Sequence, residues 1–213
     1  MKKGKFITFE GSEGSGKSTQ IELIKKYLKK KRVPVLFVRE PGGVKISEKI
    51  RHILLDVENE RMGKECETLL YMAARAQLVE EVIKPALSKG KVVLCDRFLD
   101  STVVYQSYGC GVDISTIKDM GKFATQGIAP DLTIVFDINA KTGLSRISRD
   151  KDRIEKRALS YHNKVQRGYQ KIAKLEPKRV KVIDVGASHL RPLWSREEIH
   201  AQVREYIDRL LKI

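Results

Sequence analysis

The stretch Phe6-Ile-Thr-Phe-Glu-Gly11-Ser-Glu-Gly-Ser-Gly16-Lys17-Ser18-Thr19 decides the fold of this chain. Its centre, Gly11 to Ser18, is a complete G-x-x-x-x-G-K-S phosphate loop between an apolar β-type run, Phe6 to Phe9, and an amphipathic pattern opening near Thr19. The chemistry needs these residue types. Gly11, Gly14 and Gly16 let the backbone curl so that N–H groups of Ser12, Glu13, Ser15 and their neighbours converge on an anion, while the following helix adds its positive end. Lys17 is placed to bridge β and γ phosphates, and the Ser18 hydroxyl to sit on Mg²⁺. Loop and setting together predict a nucleotide site.

Outward from the loop, apolar runs recur at Phe6 to Phe9, Val33 to Val38, Val92 to Cys95, Leu132 to Phe136 and Val180 to Val185. Each is bounded by Gly, Pro or charged residues, as expected of buried parallel strands. Helical spacing fills the intervals: Ile21, Ile24 and Leu28; Ile46, Ile50, Ile53 and Leu54; Leu69, Leu70, Ala73, Ala76 and Leu87; Val165, Ile172 and Leu175. The alternation predicts an α/β sheet with helices on both faces. Pro85 falls inside the third helical pattern and is expected to kink it or to mark its last turns. Ser195-Arg-Glu-Glu198 is a capping box that opens a closing helix carrying Ile199, Val203, Ile207 and Leu210.

A length of 213 residues suits one domain, and no repeat or low-complexity linker divides it. There is no 18-residue apolar run, and Lys2, Lys3 and Lys5 lead straight into a strand, so a cytoplasmic protein is expected. Cys66, Cys95 and Cys110 form no C-x-x-C pair and read as reduced thiols. His52, His162, His189 and His200 lack metal-ligand spacing. The net charge is +15, and residues 141 to 181 hold fourteen Lys or Arg against four Asp or Glu. Without aromatic interleaving or a helix-turn-helix pattern, the charge does not point to base readout; anionic small substrates explain part of it, weak nonspecific nucleic-acid binding is the alternative, and no specific nucleic-acid partner is expected.

Ligands of open α/β sheets bind beyond the carboxyl ends of the strands. The first strand is followed by the phosphate loop, the second by Arg39-Glu-Pro-Gly-Gly43 and the third by Asp96-Arg97-Phe98. Three charged loops are therefore expected to meet in one crevice.

These residues resemble the thymidylate kinases. The resemblance is carried in order by Phe9-Glu-Gly-Ser-Glu-Gly-Ser-Gly-Lys-Ser-Thr19, Arg39-Glu-Pro-Gly-Gly43, Arg51 in Glu48-Lys-Ile-Arg-His-Ile-Leu-Leu-Asp56, Ala73-Ala-Arg75, Asp96-Arg97-x-x-x-Ser101-Thr102-x-x-Tyr105-Gln106 and Asp152-Arg-Ile-Glu155. It implies a P-loop NTPase fold with a five-stranded parallel sheet of order 2-3-1-4-5. The whole of 1–213 would form one kinase domain with a small mobile lid near 146–158.

The resemblance also assigns roles. Arg97 and Arg51 would hold the acceptor phosphate, a task that suits the planar guanidinium fork. Tyr71 would stack on thymine and Arg75, four residues on, would bond its O4 edge. Thr102 would meet the base edge, and Tyr105 would pack against C2′ of the sugar and favour deoxynucleotides. Arg39, Pro41, Ser101 and Gln106 complete the acceptor set. Glu13 would approach the 3′-hydroxyl of dTMP and the magnesium shell, with Ser18 and Asp96 as the other metal-facing groups, partly through water.

Gly14 carries no side chain, and together with Arg149 and Arg153 it resembles the bacterial arrangement in which the catalytic arginine lies in the lid, with Arg153 preferred over Arg149 as an arginine finger in cis. Lys17, Arg97 and Glu13 complete the catalytic set. Gly11 through Thr19 and Arg146 would hold ATP, with adenine between Arg146 and the loop after Asp184. A homodimer is implied.

The reaction so implied is in-line transfer of the γ-phosphoryl of MgATP to the 5′-phosphate of dTMP. That phosphate is already mostly dianionic at neutral pH, so no general base is needed. Other nucleoside monophosphate kinases and deoxynucleoside kinases share the loop, and a nucleotide-dependent nucleic-acid-binding protein would share the charge. An acceptor hydroxyl would require a base, and only Glu40 and Asp96 present themselves.

Overall fold

The computed structural model describes residues 4–187 and 194–213. All five apolar runs form strands: β1 (Lys5–Gly11), β2 (Val35–Arg39), β3 (Val92–Asp96), β4 (Leu132–Asp137) and β5 (Val180–Asp184). They pair in parallel in the order β2-β3-β1-β4-β5. This is the P-loop order expected above. Phe9 lies beside Asp96 on one flank and Ile134 on the other, so β1 is central and its carboxyl end opens between two neighbours.

Alternating residues of each strand serve the two faces. On one face Ile7, Phe9, Leu94, Ile134 and Phe136 pack against Ile21, Ile24 and Leu28 of α1 (Lys17–Lys30) and Val203 and Ile207 of α9 (Arg196–Leu211). On the other, Phe6, Val38, Val93 and Cys95 meet Leu78, Val79, Ile83 and Ala86. Beside them Val135 and Val180 meet Val165, Tyr169 and Ile172 of α8 (Leu159–Leu175). The capping box of α9 is formed, with the Ser195 hydroxyl accepting the Glu198 N–H.

In the third helical pattern Pro85 marks the last turns, as expected, while the buried face departs from the apolar stripe. Helix α3 (Lys64–Leu78) passes into a π-helical turn, Val79–Ile83, before α4 (Lys84–Ser88) resumes with Pro85 in its first turn. Proline has no N–H for the preceding turn and its ring crowds a carbonyl there, so the wider turn accommodates it. The buried face of α3 consists of Glu67, Thr68, Met72, Ala74, Arg75 and Leu78, whereas Leu69 is 57% exposed. The apolar spacing of Leu69 and Ala73 therefore marks an outward face. The inward face carries charge because it borders the cleft.

Two further helices, α2 (Lys45–Leu55) and α6 (Ile114–Ala124), pack against α3. The short α5 (Leu99–Thr102) continues as a π-helical segment, Val103–Gly109, and α7 (Ala140–Ser145) follows β4. No described helix is long and apolar enough to cross a membrane.

Candidate active site

The carboxyl ends of β1, β2 and β3 open onto a cleft of about 540 Å³, lined among others by Glu13, Lys17, Ser18, Pro41 and Arg97. Its size is that of a small-molecule site. Gly16 is left-handed, at φ 85°, and precedes α1 without a side-chain cap or an acidic first turn. The N–H groups at this helix end thus remain available to an anion.

The packing at Gly14 adds a steric reason for its identity. Its φ is +66°, and a Cβ there would run into the Gly143 carbonyl of α7. Only glycine lets the loop lie on that helix.

Lys17 is buried and folds onto its own loop, donating to the carbonyls of Gly11 and Ser12 at 2.9 Å each. Burial, followed by repulsion from Arg97, pulls its pKa down to about 8. Glu13 answers both cations. Its Oε1 accepts Arg97 Nη2 at 3.0 Å, and its Oε2 accepts the Tyr105 hydroxyl at 2.6 Å. Burial by itself would raise this carboxyl, but Arg97, Lys17 and Tyr105 outweigh it and hold it below the ordinary range.

Arg97 is set by groups from distant parts of the chain. Its backbone is left-handed at φ 69°, and its N–H donates to the Phe9 carbonyl of the neighbouring strand. That conformation is strained for a residue with a Cβ and occurs where surrounding contacts enforce it. Nη1 faces the Ser101 and Tyr169 hydroxyls at 3.3 and 3.4 Å, and the guanidinium lies over the Tyr105 ring. Behind it, Glu10 accepts the Phe98 N–H, the Ser101 hydroxyl and the Tyr169 hydroxyl at 2.6 to 2.8 Å.

At the other end of the cleft, Arg75 is 1% exposed and held by Glu40, with Nε to Oε2 at 2.8 Å. Its guanidinium lies over Phe98. Tyr71, Arg51, Thr102, Tyr105 and Gln106 join it in the lining. Arg51 donates to the Pro41 carbonyl at 2.9 Å, which fixes its reach. Buried Thr102 Oγ1 and Asp96 Oδ1 have no hydrogen-bond partner among the described residues. A buried polar atom left unpaired is costly, so both oxygens are poised for a partner from outside the chain.

Most of the expected residues meet in this cleft, but two arginines do not line it. Arg39 turns to Glu48, contacting both carboxylate oxygens at 2.9 and 3.0 Å. Arg153, expected to be the lid's catalytic arginine, is buried away from the cleft. Its Nε donates to the Leu54 carbonyl at 2.8 Å, and its Nη2 lies 2.6 Å from Glu67 Oε2. A buried guanidinium needs an anion, and Glu67 supplies one where the cleft wall does not.

Of the two arginines expected in the lid, Arg149 lines the cleft, with its side chain 63% exposed and held bidentate by Glu155 at 2.9 and 2.7 Å. Arg146 also lines it and donates to the Gly14 carbonyl at 3.2 Å. Ser12 and Ser15 are buried behind the loop, and Thr19 is exposed on α1. The adenine assignment falls partly on 188–193, outside the described residues.

Glu10, Glu67, Glu155 and Tyr169 were absent from the expected site. Tyr169 carries no local signal, since only the packing of α8 brings it to β1. Glu67 had one: it lies four residues before Tyr71 and eight before Arg75, so the three share a helix face.

Comparison with known proteins agrees with this geometry. The family model described as thymidylate kinase matches residues 9–191. The thymidylate kinase of Symbiobacterium thermophilum is 44% identical over 207 residues, covering 97% of this chain and 94% of that protein. That of Kosmotoga olearia is 44% identical over 211 residues, covering 98% of each. The crystal structure of thymidylate kinase from Ehrlichia chaffeensis superposes with a TM-score of 0.79 at 31% identity, over 96% of this chain and 99% of that one.

Proposed function

Since the chain belongs to the thymidylate kinase family and transfers the γ-phosphoryl group of ATP to dTMP, giving dTDP and ADP, we propose how its own residues divide that work. The observation that carries the assignment is the grip on Arg97. Glu13, Ser101 and Tyr169 hold a strained arginine at the end of β3, facing the phosphate loop. Arg97 binds the acceptor phosphate, with Arg51 beside it, and Lys17 leaves its carbonyl partners for the β and γ phosphates of ATP.

The thymine lies between Tyr71 and the Arg75 and Phe98 side, with the Thr102 hydroxyl on its edge. The ring of Tyr105 closes the space at C2′, and its hydroxyl keeps Glu13 turned toward the sugar. Pro41, Ser101 and Gln106 complete the wall, while Arg39 acts at one remove by fixing the Glu48 end of α2.

Magnesium suits the oxygen donors here. Ser18 and Asp96 present a hydroxyl and a carboxylate, hard ligands in a site where phosphates supply the rest. When bound, the ion neutralises charge on the β and γ oxygens.

The segment 146–158 serves as the lid of the single kinase domain. Arg149 is its catalytic arginine, because it alone of the two candidates lines the cleft. The exposed apolar residues Ile46 and Ile53 of α2, Leu69 of α3 and Phe123 of α6 support a homodimer through these helices. Three free cysteines and nucleotide substrates support a cytoplasmic location.

The test is ADP release with dTMP, dUMP, dCMP, dGMP and AMP as separate acceptors, for the wild type, Arg149→Ala and Arg97→Ala. The wild type favours dTMP. Arg149→Ala lowers kcat by about 10³-fold with little change in the KM for dTMP, and Arg97→Ala damages both. Small, equal effects of the two substitutions would overturn the assignment.

A further inference from the structure

Glu67 is fully buried, lies on α3 one turn before Tyr71, and gathers three groups from two separate segments. Its Oε2 accepts Arg157 Nη2 at 2.6 Å and lies 2.6 Å from Arg153 Nη2, while its Oε1 accepts Gln106 Nε2 at 2.9 Å. Both arginines belong to the segment 146–158, and Gln106 lines the cleft from the π-helical segment after α5.

The backbone is tied at the same place. The Arg153 N–H and Nε donate to the carbonyls of Leu55 and Leu54 at the end of α2, the helix that carries Arg51. The second half of the lid segment is thus bolted down, from the Asp152 cap over Ile154 and Glu155 to Arg157. The first half, with Arg146 and Arg149, borders the cleft and reaches the bolted half through the Arg149–Glu155 pair.

A surface pair in this position would need no such arrangement. Setting two guanidiniums, the buried one of Arg153 and the partly exposed one of Arg157, on one buried carboxylate leaves a net positive cluster, which is costly for stability and suits a role beyond stability. We propose that Glu67 is a positioning residue: it makes the turn at 152–157 the fixed pivot of the lid and couples that pivot, through Gln106 and the Tyr71 helix, to the acceptor end of the cleft. The inference rests on the assignment of 146–158 as the lid. With the pivot fixed, Arg149 closes at one distance from the phosphates, and it does so over an acceptor that has seated Gln106. With the pivot loose, closure loses its register and water competes with dTMP for the γ-phosphoryl group.

The ratio of ADP formed to dTDP formed reads this directly, and a merely structural ion pair would not move it. Wild type is expected near one. Glu67→Gln, nearly isosteric, is expected to raise the ratio at least twofold, lower kcat by about tenfold to a hundredfold and raise the KM for dTMP. Arg157→Lys, at a partly exposed position, keeps the charge but loses the fork, so it guards against a folding failure of the first variant and is expected to raise the ratio to a smaller extent. Arg149→Ala separates the two layers: if the lid assignment fails, its kcat stays at the wild-type value. If Arg149→Ala is slow and the folded Glu67 and Arg157 variants keep a ratio of one, the pivot is refuted and the lid assignment stands.

Discussion

Replacing Glu10 by Gln should remove a pH-dependent penalty on the stability of the native state. Glu10 is 0% exposed at the end of β1. Its burial, and after it the charge of Asp100, raises the carboxyl from 4.5 to about 7, against the opposing pull of Arg97, Ser101 and Tyr169. In the unfolded chain the proton leaves near 4.5, whereas in the folded chain it stays until about 7. Between those values the native state binds more protons, so this group's contribution is complete below pH 4.5 and is lost as the pH rises through 7. At about 1.36 kcal/mol per unit, the loss is about 3 kcal/mol.

Gln at this position has no charge to bury. Its carbonyl accepts the Phe98 N–H, and the Ser101 and Tyr169 hydroxyls rotate to accept its amide, for a constant cost of about 1 kcal/mol. Urea unfolding of both proteins at pH 5, 6, 7 and 8 isolates the effect, because every other group titrates in both and cancels in the difference. The variant should start slightly less stable at pH 5 and gain about 3 kcal/mol on the wild type by pH 8. Unfolding free energies that run parallel across the whole range would refute the assignment of the penalty to Glu10.

Three further outcomes follow from contacts already described. Gly14→Ala forces a side chain at positive φ against Gly143 and should cost about 1–3 kcal/mol, a fall in Tm of roughly 2–4 °C for each; an unchanged melting curve would mean that the loop does not rest on α7. Tyr105→Phe removes the hydroxyl from Glu13 but keeps the ring, so the KM for dTMP should rise about fivefold to tenfold while preference for deoxyribose persists. Tyr105→Ala should relax that preference as well, and equal sugar selectivity in the two variants would count against the ring. Leu69→Glu places a charge on the exposed apolar face of α3 and should shift sedimentation from dimer to monomer with little change in the stability of the fold; a dimer of undiminished affinity would place the interface elsewhere.

The contiguous features of this protein were legible from residue order alone. The phosphate loop is chemistry contained in eight residues, and the strand before it and the helix after it follow from apolar periodicity, so neither depends on where the rest of the chain lies. The five strands, the capping box at Ser195 and the meeting of three strand-end loops followed in the same way, whereas most of the acceptor side of the cleft came from the resemblance to thymidylate kinases.

Tertiary structure decided which charges pair. Arg153 and Arg149 are four residues apart and chemically alike, yet one is drawn to Glu67 and the other lines the cleft. Arg157 meets the same Glu67 across 90 residues of sequence, and Tyr169 meets Glu10 across 159. Leu69 and Ala73 have the spacing of a core stripe, but the opposite side of α3 faces inward, with Tyr71 and Arg75 lining the cleft and Glu67 fully buried. Ion pairing and burial depend on distance in space, and that distance exists only once the sheet and its helices have packed.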